Sequence, residues 1–190
     1  MPVQVIDDGL TLQILEPSHV DALFRLTDMN REHLRQWMPW IDSTITVQDS
    51  EDFIRSTISL YANNAGFTAG IFLHGQLCGV IGLHLPNWRV RHVSMGYWLG
   101  KDYQGRGIMT KACACLIQYA FENWQMNRIE LRIDPRNVRS RDLAHRLGFT
   151  QEGILRQVDL IGDVYMNMVV YSLLVSEWLA LSEDDTINNR

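Results

Sequence analysis

The chain has 190 residues (22.0 kDa), is 46% hydrophobic and 21% charged, and is long enough to bury one sizeable core. Seventeen basic against twenty-two acidic residues give a net charge of −5, which argues against a chain built to coat nucleic acid or an anionic membrane surface. No apolar run approaches the roughly 18 residues that span a bilayer. The opening MPVQVIDDGL is acidic and alternating, unlike a signal peptide. Cys78, Cys113 and Cys115 are odd in number and lack CxxC spacing, which fits a reducing compartment. The expectation is a cytoplasmic protein with one domain over residues 1–180 and a polar tail at 181–190.

In chain order, Gln4 to Leu15 alternates apolar and polar residues around Asp7–Gly9, as a strand with a turn near its start does. Glu16-Pro17-Ser18 opens a helix with Val20, Leu23, Phe24, Leu26 and Leu34 on its apolar face. Trp37-Met38-Pro39-Trp40 breaks it. Gln48 to Asn64 reads as a second helix with Phe53, Ile54, Ile58 and Tyr61 on one face. Phe67–Leu73 and Leu77–Leu85 are strands joined through His74-Gly75-Gln76, a hairpin signal. Val93–Leu99 follows the turn at Asn87–Arg91. Tyr103–Gly107 is a glycine-rich loop, and Ile108–Trp124 a helix with Ile108, Ala112, Cys115, Leu116 and Tyr119 inward. Arg128–Ile133 is a strand ended by Asp134-Pro135. Val138–Leu147 is a short helix stopped by Gly148. Strands from Thr150 to about Leu155 and from Tyr165 to Leu174 complete an order βααβββαβαββ. This predicts an α+β protein with a mixed sheet of about seven strands and helices on both faces.

The segment richest in chemistry is the strand through Tyr97, Trp98 and Leu99, the loop Gln104-Gly105-Arg106-Gly107, and the helix that starts at Ile108, Met109 and Thr110. Glycines allow close backbone approach, first-turn amides lack intrahelical acceptors, and the helix dipole favours negative charge, so such a turn suits a phosphate. The same pattern also describes a plain turn and cap. A Walker loop is excluded, because Gly100-Lys101 is followed by Asp102 and position 95 is Met. A dinucleotide fingerprint lacks its third glycine at Thr110. The ligand expected is a pyrophosphate compound other than NAD or a hydrolysable nucleoside triphosphate.

Of the 17 cations 15 are Arg, and six of these lie between Arg128 and Arg146 against only Glu130, Asp134 and Asp142. Arg favours bidentate phosphate contacts, although a solvated helix face is the alternative. The six His show neither HxxxH nor His/Cys spacing, so no metal is expected. Trp37, Trp40 and Trp88 could wall an acceptor groove or simply pack beside a turn.

Strand–QGRG–helix, then Asn137-x-x-Ser140, then Leu147-Gly148-Phe149, resembles the GNAT acetyltransferase superfamily. Gln104 to Gly107 match that family's acetyl-CoA signature (Q/R)xxGx(G/A), except that Met109 stands at the last position. GYWLGKDYQGRGIMTKA is similar to the RimJ/RimL branch, in which Ile-Met or Ile-Ile is usual there. The resemblance implies a mostly antiparallel GNAT sheet in which two neighbouring parallel strands splay around acetyl-CoA. It places Tyr97, Trp98 and Leu99 at a strand bulge, where their main chain holds the pantetheine arm and polarises the thioester carbonyl. Gln104, Gly105, Arg106, Gly107, Ile108, Met109 and Thr110 would bind the pyrophosphate. Asn137 would hydrogen-bond the pantetheine side or serve as a helix N-cap, and the Arg stretch would be available to the adenosine phosphates.

The implied reaction is direct attack of an amine on the thioester. Only a neutral amine attacks, and an α-amine (pKa about 7.7–8.0) lies about 2.5 units below a lysine side chain, or about 3.4 kcal/mol of deprotonation cost. A protein N-terminus therefore needs only a modest base. The RimL-like pattern puts an acid at Asp159, with Glu152 and Asp163 as rivals. Ser140 occupies the branch's position for protonating the leaving thiolate, or helps cap its helix. Tyr165 is the alternative acid, or a core residue of its strand. The acceptor implied is the N-terminal amine of a protein such as a ribosomal protein. A small amine (a polyamine or an antibiotic-like compound) or a non-catalytic acyl-CoA sensor are the other readings. Homodimerisation is a family-level expectation.

Overall fold

Alternation, turn glycines and helix caps place the elements of the computed structural model, which describes residues 4–188, with side chains described through residue 181. Strands β1 (Gln4–Asp7) and β2 (Leu10–Ile14) form a hairpin, so the first predicted strand is two strands turned at Gly9, whose φ is +90°. Helices α1 (Val20–Met29), α2 (Arg31–Leu34) and α3 (Val47–Ala62) follow, separated by a 3-10 turn at Pro39–Asp42. Next are β3 (Gly66–Leu73), β4 (Gln76–Asn87), β5 (His92–Leu99) and, after a 3-10 turn at Lys101–Tyr103, α4 (Ile108–Glu122). The chain ends with β6 (Arg128–Ile133), α5 (Val138–Arg146), β7 (Thr150–Ile161), β8 (Val164–Leu174) and α6 (Val175–Asn188). The eight strands form a mostly antiparallel sheet in an α+β fold, one strand more than expected. The segment expected as a polar tail is helical to Asn188, and residues 1–3 and 189–190 lie outside the described ones.

The chain divides into two compact units, 4–85 with 96–116, and 86–95 with 117–188. In the first, β1 to β4 make an antiparallel meander, and the β3–β4 hairpin turns through His74 and Gly75 at φ +49° and +79°. Two successive left-handed residues match the twist of the flanking strands, which is why a Gly-containing dipeptide sits there. Leu15, Leu23, Leu26, Ile54, Phe72, Leu77 and Val80 form a buried cluster with Trp98 and Tyr103 packed at its edge.

Helix α3 begins with a capping box between Thr46 and Asp49. It buries Ser50, Ile54 and Thr57, whereas Phe53, Ile58 and Tyr61, expected inward, are exposed, Phe53 at 41%. Thr57 satisfies its hydroxyl by donating to Ile54 O at 2.9 Å. In α4 the buried residues of the first unit are Ile108, Ala112, Cys113 and Leu116. Cys115, expected inward, is only half-buried, as is Tyr119 further along the helix.

In the second unit β5 and β6 run parallel, β6 pairs with β8, and β8 with β7. Helix α5 ends in a Schellman motif: Gly148 has φ +82°, its N–H donates to His145 O at 3.0 Å, and Phe149 N–H donates to Ala144 O at 3.0 Å. Glu130 on β6 is 8% exposed and takes hydrogen bonds from Arg128 (3.0 Å) and Arg132 (2.9 Å). Arg128 also grips Glu152 on β7 through two bonds of 2.5 and 2.7 Å.

Strand β7 runs six residues beyond the predicted end near Leu155 to a turn at Gly162, and Gly153 lies at a register shift within it. A second shift, between Leu155 and Asp159, sets Arg156, Gln157 and Val158 against Asn167 alone. Gln157 has φ +52°, and its N–H donates to Asn167 Oδ1 at 2.9 Å, which pins the bulge.

Candidate active site

The turn from β5 to α4 is fixed by short-range hydrogen bonds. Gly100 N–H donates to Cys78 O (2.9 Å), Tyr103 N–H to Gly100 O (3.0 Å) and Gln104 N–H to Lys101 O (3.2 Å). Lys101 N–H donates to Asn30 Oδ1 at 2.8 Å, and Asn30 Nδ2 donates to Leu26 O at 2.8 Å. The Gln104 amide nitrogen lies 2.7 Å from His33 Nε2. Helices α1 and α2 thus hold the entrance of the turn. Asn30 and His33 had no sequence signal, because their partners are some seventy residues away.

Past Gln104 the backbone is presented outward. Gly105 and Gly107 both have φ +74°, and a Cβ built on either would meet nothing within 4 Å. Glycine is required there by conformation, not by crowding. The first intrahelical bond is Lys111 N–H to Gly107 O at 3.1 Å, so the amides of Gly105, Arg106, Gly107, Ile108, Met109 and Thr110 precede the helical ladder. Those amides and the positive end of a 15-residue helix make a cradle for an anion. The Arg106 guanidinium lies 5.8 Å from the Tyr103 ring, and Lys111 pairs with Asp7.

Tyr97, Trp98 and Leu99 are the last residues of β5. The parallel ladder with β6 holds three residue pairs, ends at Ser94↔Glu130, and stops while β5 still continues to Leu99. Leu99 is buried and Trp98 half-buried, its ring 6.1 Å from that of Trp40. Trp88 packs on Trp124 in the second unit, with ring centroids 5.1 Å apart.

In the second unit Asn137 is the N-cap of α5, its Oδ1 accepting from Ser140 N–H at 3.2 Å. Ser140 is half-buried in the first turn of that helix. The nearby cations are less available than their density in sequence implies. Arg128 and Arg132 are held by carboxylates of the sheet, and Arg136 is bound to Asp134 through 2.8 and 3.0 Å bonds. Arg141 donates to Tyr171 Oη at 3.0 Å and to Pro135 O at 3.1 Å. Arg146 is exposed.

Asp159 lies just past the bulge of β7, half-buried, with Oδ1 accepting from Leu160 N–H at 2.8 Å. Its rival Glu152 is engaged by Arg128 and by Ser172 Oγ (2.8 Å), and those hydrogen bonds hold its carboxyl below the usual range. A carboxylate so stabilised is a poor proton acceptor. Asp163 is exposed beside the hairpin turn. Tyr165 is 66% exposed, not a core residue, since β8 enters the core only from Met166 onward. Cys113 is buried, which pushes its thiol far up, and burial likewise raises Cys78 to about 11, so both are inert packing thiols. Among the described residues no group of three or more His, Cys, Asp or Glu is placed to hold a metal, and no helix is long and apolar enough to cross a membrane.

The acetyltransferase (GNAT) domain family matches residues 9–150. "Putative ribosomal N-acetyltransferase YdaF" of Bacillus subtilis (strain 168) is 34% identical over 178 residues, covering 91% of this chain and 95% of the relative. The ribosomal-protein-serine acetyltransferase of Escherichia coli (strain K12) is 25% identical over 170 residues, covering 90% and 95%. The microcin C7 self-immunity acetyltransferase MccE, solved in complex with acetyl-CoA and AMP, superposes with a TM-score of 0.86 at 26% identity, over 90% of this chain and 94% of its own. With the QGRG turn built as described, the chain belongs to the GNAT acetyltransferase family, and its relatives are RimL/RimJ-type ribosomal-protein acetyltransferases.

Proposed function

We propose that this enzyme moves the acetyl group of acetyl-CoA to the N-terminal α-amine of a protein of the ribosomal class. The observation that carries the reading is the outward-facing turn from Gly105 to Thr110, with two left-handed glycines and clear space above both. Its amides bind the donor's pyrophosphate, with the Gln104 side chain, anchored at His33, fixing the start of the turn. The main chain of Tyr97, Trp98 and Leu99, beyond the end of the β5–β6 ladder, takes the pantetheine arm and polarises the thioester carbonyl. Asn137 spends its oxygen on the helix cap and offers its amide nitrogen to the pantetheine.

The amine nitrogen attacks the carbonyl carbon, the C–N bond forms, and the C–S bond breaks. Asp159 removes a proton from the incoming ammonium, and Ser140 returns one to the CoA thiolate, with Tyr165 its rival. Residues 1–180 act as one catalytic domain, and the ribosomal acceptor puts the enzyme in the cytoplasm. The names of the relatives support a protein acceptor. A small-molecule amine is the second reading, favoured by the likeness to a self-immunity acetyltransferase.

The test is thiol release from acetyl-CoA on peptides with free N-terminal Ser or Ala, set against polyamines, with intact-mass analysis of ribosomal proteins. Turnover on the peptides is expected. Turnover only on polyamines selects the second reading, and tight acetyl-CoA binding without thiol release on any amine makes the chain a sensor.

A further inference from the structure

Strand alternation puts Val80, Gly82 and His84 on one face of β4, paired with Gly70, Thr68 and Gly66 of β3. Val80 belongs to the cluster that packs against Leu23 and Leu26 of α1 and Ile54 of α3, so His84 closes the row on the face those helices cover. Its ring folds back over Gly82, where a Cβ would come within 2.8 Å of Cε1 and Nε2. On β5 a Cβ at Gly96 would lie 3.6 Å from Cδ2 and Nε2. Gly82, whose Cβ would also meet Phe67 O at 2.5 Å, thus leaves room for the imidazole, and the ring rests at ordinary contact distance from Gly96 on the adjacent strand. Gly96 immediately precedes Tyr97, two residues past the end of the parallel ladder, and Trp98 shares its face of β5.

Nothing in the chemistry described so far uses this side chain, and among the described residues no hydrogen bond occupies it. Burial alone lowers its pKa, with no ionised neighbour contributing. The ring is thus neutral at pH 7, and a neutral imidazole always keeps one nitrogen lone pair.

An amine that arrives as an ammonium must lose two protons to become an amide. One leaves before attack, to expose the lone pair, and one as the C–N bond forms. The thiolate takes back one, so one is released overall. We propose that His84 is a second catalytic base, accepting at a ring nitrogen the proton that leaves as the C–N bond forms, on the α1–α3 face of β5. This assignment rests on the acetyl-transfer reading above. Asp159 then serves the first deprotonation, and the imidazolium passes its proton to water.

His84→Gln and His84→Ala test it. The expected results are a fall in kcat of about 100-fold at pH 7, with acetyl-CoA affinity within twofold of wild type. The wild-type acid limb of kcat, below the ordinary imidazole value of about 6.5, should vanish in His84→Gln. Added imidazole should restore part of the rate in His84→Ala, through the space the missing ring leaves. Unchanged kcat, a persisting limb, or loss of rate with a fallen Tm and no imidazole rescue would each overturn the assignment. If wild type releases no thiol on any amine, the functional reading falls and takes His84 with it. If wild type turns over and His84→Gln does so equally well, only His84 falls.

Discussion

The turn between β5 and α4 and the hairpin of β7 and β8 carry opposite kinds of precision. In the turn, shape comes from residues close in sequence: two left-handed glycines, a 3-10 turn and a helix start, with side-chain anchors from α1 and α2. In the hairpin, Asp159 is located by pairing across strands and by a three-against-one bulge held by Asn167. In the proposed reaction, a turn built from backbone offers a constant surface to a constant donor. A bulged hairpin can re-aim its side chains when the acceptor changes, which is where variation among acetyl acceptors is expected.

Four substitutions break or sharpen this contrast. The largest effect is expected from Gly107→Val. At φ +74° a β-branched residue adds strain of about 1–3 kcal/mol and puts methyl groups where a phosphate approaches, so acetyl-CoA affinity measured by calorimetry should fall by more than about 10-fold. Unchanged affinity would remove the turn as the donor site. Asp159→Asn should leave that affinity alone and lower kcat by roughly 100-fold at pH 7. The deficit should shrink toward pH 9, where more of the amine is neutral, and an equal deficit at both pH values would count against Asp159 as a base.

Stability rather than turnover should respond to Glu130→Gln. Burial favours the protonated form of Glu130, but hydrogen bonds from Arg128 and Arg132 outweigh it and hold the carboxyl below its ordinary value. A folded-state pKa depressed in this way adds stability that is present above the unfolded value of about 4.3 and is lost as pH falls through the folded one. The variant should be less stable by about 2 kcal/mol at pH 7. Its denaturation midpoint should converge with wild type as pH drops below 4, and a pH-independent gap would contradict the assignment. Asn137→Ala should cost about 1 kcal/mol through loss of the cap. A weakening of acetyl-CoA binding beyond that destabilisation would mark the amide as a ligand contact, whereas unaltered binding would leave Asn137 as a cap alone.

Much of the fold was legible because its signals are local. Gly148 ended α5 in a Schellman motif, His74-Gly75 turned the β3–β4 hairpin, and Gly105 and Gly107 formed the left-handed turn before α4. The misreadings have physical causes. Phe53, Ile58 and Tyr61 form an apolar pattern, yet the buried face of α3 is the one through Ser50, Ile54 and Thr57. The extension of β7 was hidden because its bulge uses Gln157 in a left-handed conformation, with no glycine or proline to mark it. The setting of His84 has no signal in sequence, since its ring lies against Gly96 on another strand.

By itself the sequence determined most of the order of elements and the left-handed turn before α4, because glycines, helix starts and alternation depend on neighbours a few residues apart, and its motifs carried the resemblance to the family. Only the tertiary structure decided which arginines are already committed to carboxylates, where the β7 bulge sets Asp159, and that an imidazole stands beside Gly96. Those facts depend on which residues of separate strands come opposite one another, and strand register is settled by packing of the whole sheet rather than by any short stretch of chain.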